Sequence, residues 1–231
     1  MGVKERQERD REQLRGRILD AARELFVAEG YRNVSIRKIA EKVEYSPAAL
    51  YSYFPAKDDI FFALAEEGFR LLYGKAEDLD ALDALPALDR IRGMFWRLYE
   101  FSRQQPAYFA LMFIDRTVPS VSRNYERFAF AREMRQRLLS HLRVCVDDGL
   151  FPAHIPPAVA FRILTTGILG VAVLRNSDRL GPGENADDLA RDVLNVTLAG
   201  LQSGLAVTSS AAWCALDDAE PANVVEPTKS S

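Results

Sequence analysis

Apolar residues recur at helical spacing along most of the chain, and no stretch shows the strict alternation of a half-buried strand. Leu14, Ile18, Ala21, Ala22, Leu25 and Phe26 share one face of a helix over residues 14–29, which Gly30 ends. Ile36, Ile39, Ala40 and Val43 mark a second, with Ser35 as its N-cap. Glu44-Tyr45 interrupts the period. Ser46 then caps a third helix, with Pro47 at its first position, where a missing N–H costs nothing. Only roughly two turns follow before Pro55, so this helix must be held by its neighbours through Leu50 and Phe54. A fourth opens at Lys57, with Asp58 and Asp59 in its first turn to complement the helix dipole, and runs on through Phe61, Leu64, Phe69 and Leu72.

Beyond it, residues 74–87 are acidic and rich in Leu and Ala, and predict a loop with a short helical piece. A helix from Leu88 ends before Pro106, which opens a short, very apolar one that Val118-Pro119 breaks. A long helix is expected over residues 121–148, with Tyr125, Phe128, Leu138, Leu142 and Val146 inward. Along it lie Arg123, Arg127, Arg132, Arg135, Arg137 and Arg143, expected to be solvated or to meet carboxylates of neighbouring helices. Two further helices, over residues 157–175 and 185–205, flank a loop at 176–184. The fold class is all-α. The expected organisation is a flexible extension (1–13), a three-helix head extended by its fourth helix (14–73), a larger helical body (74–206) and a disordered tail (207–231) whose Trp213 could dock on the body.

The pair of short helices at residues 35–54 reads as a helix-turn-helix whose second member lies against DNA. Small residues at Pro47, Ala48 and Ala49 let the backbone approach base edges. Ser35, Ser46, Tyr51, Ser52 and Tyr53 offer hydroxyls to phosphate, and Ile36 and Arg37 sit at the start of the second helix. No Arg, Lys, Asn or Gln stands at 47–49 to make a bidentate base contact, so specificity is assigned to Arg37 and to Tyr51 or Ser52, aided by DNA shape.

Residues Leu14 to Leu64 resemble the DNA-binding domain of the TetR family of transcriptional regulators. The likeness is carried by Arg17-Ile18-Leu19-Asp20-Ala21-Ala22, Leu25-Phe26, Glu29-Gly30-Tyr31, Val34-Ser35-Ile36 and Ile39-Ala40. It continues through Ser46-Pro47-Ala48-Ala49-Leu50-Tyr51-Ser52-Tyr53-Phe54 and Lys57-Asp58-Asp59-Ile60-Phe61. The resemblance implies that Lys57 bonds a phosphate and that the fourth helix links head to body. It also implies a homodimer on a near-palindromic double-stranded operator, usually a repressor, whose ligand alters the separation of the two heads. The natural dimer surface is the last two helices, through Leu164, Gly167, Ile168 and Val171 on one and Leu194, Leu198 and Leu201 on the other.

Charge fits this division. The net charge of −3 is unpromising for a DNA binder, but residues 1–57 carry 12 Lys/Arg against 9 Asp/Glu, whereas the remainder carries 18 against 24. The aromatic middle, with Phe95, Trp96, Tyr99, Tyr108, Phe109, Met112 and Phe113, is the candidate cavity for a small hydrophobic effector. Absence of a run of about 18 apolar residues predicts no membrane span. The charged N-terminus has no apolar stretch after it, so no secretory signal is expected. The distant Cys145 and Cys214 suit a reducing cytoplasm.

No cofactor, metal or catalytic residue is expected. His141 and His154 have no nucleophile or paired carboxylate in their sequence context, and no phosphate loop or metal-ligand spacing occurs. An enzyme is therefore disfavoured. The competing reading is a helical interaction protein that keeps a degenerate head.

Overall fold

A computed structural model describes residues 3–74, 76–119, 127–204 and 207–208. Among these, every regular element is helical. The positions expected at Arg123, Tyr125 and Leu205, and nearly all of the expected tail with Trp213, lie outside the described residues.

The head is built from α1 (Val3–Glu29), a short 3-10 turn at Tyr31–Asn33, α2 (Ile36–Lys42) and α3 (Pro47–Tyr51). The first helix starts at Val3 rather than near Leu14, so the extension is helical, with its described side chains exposed. Both expected caps form: Ser35 Oγ accepts from the Lys38 N–H and Ser46 Oγ from the Ala49 N–H, each at 3.2 Å. The turn between α2 and α3 is a Schellman motif, with the Tyr45 N–H bonded to Ala40 O at 2.9 Å and the Glu44 N–H to Glu41 O at 3.1 Å. Its left-handed position, φ 61°, is filled by Glu44, not glycine.

The next helix, α4 (Lys57–Tyr73), belongs to two cores at once. Ile60, Phe61 and Leu64 close the head, where Ile18, Ala22, Phe26, Ile39 and Leu50 are buried. Phe69 and Leu72 face the body. An aromatic series tracks the junction: Phe26–Tyr31 at 5.0 Å, Tyr31–Phe61 at 5.9 Å, Phe61–Phe62 at 5.5 Å, and Phe62 and Phe69 each 5.6 Å from Phe128.

The body follows as α5 (Ala76–Asp83), α6 (Ala87–Gln104), α7 (Pro106–Phe109), a π-helical turn (Ala110–Ile114), α8 (Ala129–Asp147), α9 (Pro157–Asn176) and α10 (Ala186–Ser203). Phe128 precedes α8 and packs against α4 through Phe62 and Phe69. Helix α9 lies among α6, α8 and α10. It is long and apolar enough to cross a membrane by length and composition, although Arg162 interrupts its apolar run.

His141 ties α8 to α5 and α6. Its Nδ1 lies 3.0 Å from an Arg90 guanidinium nitrogen and its Nε2 3.0 Å from Asp83 Oδ1. Arginine can only donate, so the ring is the neutral Nε2–H tautomer, with that N–H beside the carboxylate. Arg137 pairs with the same Asp83.

Two outcomes follow. Glu44→Gly removes a left-handed penalty of about 1–2 kcal/mol against a glycine entropy cost of about 0.5–1 kcal/mol. A net gain of roughly 0.5–1 kcal/mol, read as a higher urea midpoint, is expected. Burial holds His141 below the ordinary imidazole range, despite Asp83. The unfolded chain therefore takes up that proton more readily. The related stability is present above the unfolded pKa of about 6.5 and is lost as pH falls from there through the folded value. Urea titrations on either side of pH ~6 should show that acid slope, flattened in His141→Gln.

Candidate DNA-reading head and ligand cavity

On the head, two helix N-termini are capped by side chains, at Ser35 and Ser46. Each cap oxygen accepts a backbone bond, which leaves its O–H free to donate to a phosphate. Arg37 and Ala48 are exposed beside them, and Tyr51 is 53% exposed. Pro47 and Ala49 are half-buried. Leu50 and Phe54 are buried and anchor the five-residue α3.

Three expected DNA contacts are placed differently. Ile36 is buried in the head core, because the face that docks α2 on α1 includes its first residue. The Ser52 hydroxyl donates to Ala49 O at 2.6 Å, so its one proton is already engaged. Lys57 does not project outward. Its Nζ donates to Tyr31 O at 2.8 Å and Val34 O at 3.0 Å, and lies 4.0 Å from the Tyr31 ring centroid. Burial pulls this ammonium below the usual lysine range. Tyr31 in turn donates to Asp58, and burial together with that carboxylate holds its phenol above the tyrosine range. Lys57 thus fixes the turn leading into α2, a role no spacing rule encodes. Tyr53 is half-buried, with Arg11 against its ring.

Three other cations of the head are also occupied. Lys38 pairs with Glu29, and Lys42 with Glu24 at 2.9 Å, which clamps α2 to α1. Arg17 donates to Val43 O at 3.2 Å and lies against Tyr45, bracing the α2–α3 turn.

The body encloses a cavity of about 570 Å³ between α4, α6, the π-helical turn, α8 and α9. Phe95, Met112 and Phe113 line it, as expected, with Phe69, Leu72, Tyr73, Met94, Leu98, Leu138, Phe161 and Leu169. The other four expected residues are elsewhere. Trp96 packs on Tyr99 and under Arg191; the Tyr99 hydroxyl donates to Asp187 at 2.6 Å. Phe109 is fully buried in the core. Tyr108 turns to the head, where Arg23 donates to its hydroxyl at 2.7 Å. Aromatic spacing marked the right helices but could not tell the wall of a cavity from packed core.

The cavity has polar points. Arg135 is buried at its wall, 5.8 Å from the Phe161 ring centroid, and Asp115, Arg116 and Arg162 border it. Burial pushes the Tyr73 phenol up to about 12, against the pull of Arg135. Thr165 Oγ1 is buried with no hydrogen-bond partner among the described residues.

Two links run from this cavity to the head. One is α4 itself. The other passes from Met112 to Tyr108 and on to Arg23 of α1, and it is close-packed: a Cβ at Gly68 of α4 would overlap Met112 Sδ. A third brace ties the start of α8 to α4, where Arg127 pairs with Asp59 at 2.6 Å and stacks 3.9 Å from the Phe62 centroid.

The model for bacterial regulatory proteins of the tetR family matches residues 18–64, and that for the tetracyclin repressor-like C-terminal domain matches residues 91–197. The chain belongs to the TetR family. Its TetR-type head and body match the HTH-type transcriptional repressor KstR2 of Rhodococcus jostii strain RHA1 at 26% identity, over 82% of this chain and 91% of that one. The repressor Rv1474c of Mycobacterium tuberculosis is 40% identical over 53 residues, covering 23% of this chain and 28% of that protein. FadR from Bacillus subtilis, solved in complex with stearoyl-CoA, shares the fold with a TM-score of 0.65 and 16% identity, over 80% of this chain and 97% of that one. The TetR fold of this chain therefore combines a helix-turn-helix head with a helical body, as a DNA-binding transcriptional regulator does.

The residues expected at a dimer surface serve another purpose within the TetR body. Leu164, Ile168, Val171, Leu194, Leu198 and Leu201 are buried in one subunit, and Gly167 lets α9 approach Val193 of α10. Helical periodicity identified the apolar stripe but not the partner it faces. The outward positions are Gly170 and Leu174 on α9 and Val196, 72% exposed, and Ala199 on α10.

Lys57→Met should cost about 2 kcal/mol of head stability, because two carbonyls lose a charged donor. Amide exchange at the Tyr31–Ser35 turn should rise, while the salt dependence of DNA binding stays near wild type.

Proposed function

We propose that this TetR-family chain is a repressor that binds a near-palindromic operator as a homodimer and releases it on binding a small hydrophobic effector. The observation that carries this reading is the double membership of α4. One helix supplies Ile60, Phe61 and Leu64 to the head core and Phe69, Leu72 and Tyr73 to the cavity wall. A ligand that favours one α4 position therefore biases head placement, provided its affinity differs between the two states.

The cavity walls suit an apolar chain or ring system, and the Thr165 hydroxyl and Arg135 suit a polar end. A fatty-acyl group is one such effector class, as the FadR complex with stearoyl-CoA illustrates. The partner copy covers the outward apolar positions of α9 and α10, led by Leu174 and Val196. A dimer places two α3 helices about one helical turn of DNA apart, roughly 34 Å. Both histidine nitrogens of His141 are engaged, and burial pushes the nearby Cys145 thiol up, which disfavours nucleophilic chemistry there. A regulator with this charge distribution works in the cytoplasm, beside DNA.

The test is mobility shift and footprinting on the DNA flanking the protein's own coding region, backed by selection from genomic fragments. A protected near-palindrome is expected, with affinity reduced about 10- to 100-fold in Tyr51→Ala through loss of a hydroxyl–phosphate bond. A folded dimer that protects no fragment at low salt would overturn the reading.

A further inference from the structure

The recognition helix Pro47–Tyr51 carries no cation. The α2 lysines Lys38 and Lys42 are turned toward α1 carboxylates, and Lys57 toward carbonyls. A head that grips duplex DNA needs cations at the phosphates, since their neutralisation supplies most of the sequence-independent affinity. Arg37 alone on this side of α2 is a thin supply.

The structure places two more beside α3, on α1. Because α1 begins at Val3, Arg11 and Arg15 lie one turn apart on a formed helix. The Arg15 guanidinium sits 5.3 Å from the Phe54 ring centroid and that of Arg11 5.7 Å from the Tyr53 centroid. These are the two residues that close the recognition element. Both arginines are exposed, and among the described residues neither forms an ion pair, although Glu8 and Glu12 stand three positions before them. An aromatic face orients a guanidinium without neutralising it and leaves N–H donors for an anion.

We propose that Arg11 and Arg15 form a phosphate clamp, a second DNA-contacting site that holds the backbone flanking the half-site read by α3. It rests on the DNA-binding reading above. Its ligand is the duplex phosphate backbone, and it contributes affinity and register rather than base preference.

The test uses the full chain and a random-sequence duplex of about three helical turns, with binding read by fluorescence anisotropy between about 50 and 300 mM KCl. Arg11→Gln/Arg15→Gln keeps the helix propensity. It is expected to lower the slope of log affinity against log salt by about 0.9 per lost contact, hence about 1.8 for each engaged head. Arg11→Lys/Arg15→Lys should keep the wild-type slope, since a phosphate accepts either charge. Arg92→Ala, a body-surface control, should also keep it. If the double Gln variant loses helix by circular dichroism, each single variant serves, at about half the drop. A wild-type slope in folded Gln variants overturns the clamp alone. Failure of the wild-type protein to bind any duplex overturns the DNA-binding reading and the clamp with it.

Discussion

The structure depends on one constraint: α4 cannot move without disturbing two cores. Its first half fills the head between α1, α2 and α3, and its second half walls the cavity. Close-packed interiors resist gradual deformation, so a displaced helix finds another discrete packing or returns. The aromatic series from Phe26 through Phe61 and Phe62 to Phe128 spreads that constraint across the junction. Two polar braces, Lys57 at the 3-10 turn and Arg127 on Asp59, are seated on this helix.

A second route runs beside α4. The π-helical turn at Ala110–Ile114 widens the helix where Met112 meets the cavity. Such turns are rare and are found mostly as single turns within helices, frequently at functional sites. Tyr108, four residues earlier, holds Arg23 of α1. A ligand that shifts Met112 thus reaches the first helix of the head where Arg23 both bonds the Tyr108 hydroxyl and lies 5.1 Å from its ring centroid. The two routes differ in kind: α4 is one continuous helix, whereas the second is a chain of packed side chains.

Much of this architecture was legible in the sequence. Caps at Ser35 and Ser46, the inward stripe of α1, the dipole-matched opening of α4 and most boundaries of the body follow from local chemistry, which acts within one turn. What was not legible depends on contacts distant in the chain. Lys57 is read as a phosphate ligand until Tyr31 and Val34 fold over it. Trp96, Tyr99, Tyr108 and Phe109 have the same spacing as Phe95 and Met112, and only the crossing of helices decides which face the cavity. The apolar stripes of α9 and α10 satisfy each other inside one subunit, so the surface left for a partner is the less obvious one around Gly170 and Val196. The early start of α1 escaped because its alternating charges carry no apolar period.

The exposed side of α3 carries almost no structural duty. Ala48 is exposed, whereas Leu50 and Phe54 anchor the helix inward. Substitutions at such a site change stability by only about half a kcal/mol or less. The reading surface is thus nearly free to drift. A lineage could acquire Arg, Asn or Gln at position 48 and redirect the protein to new operators, with the cavity and its sensing apparatus untouched. Recognition and sensing can then diversify at independent rates after gene duplication.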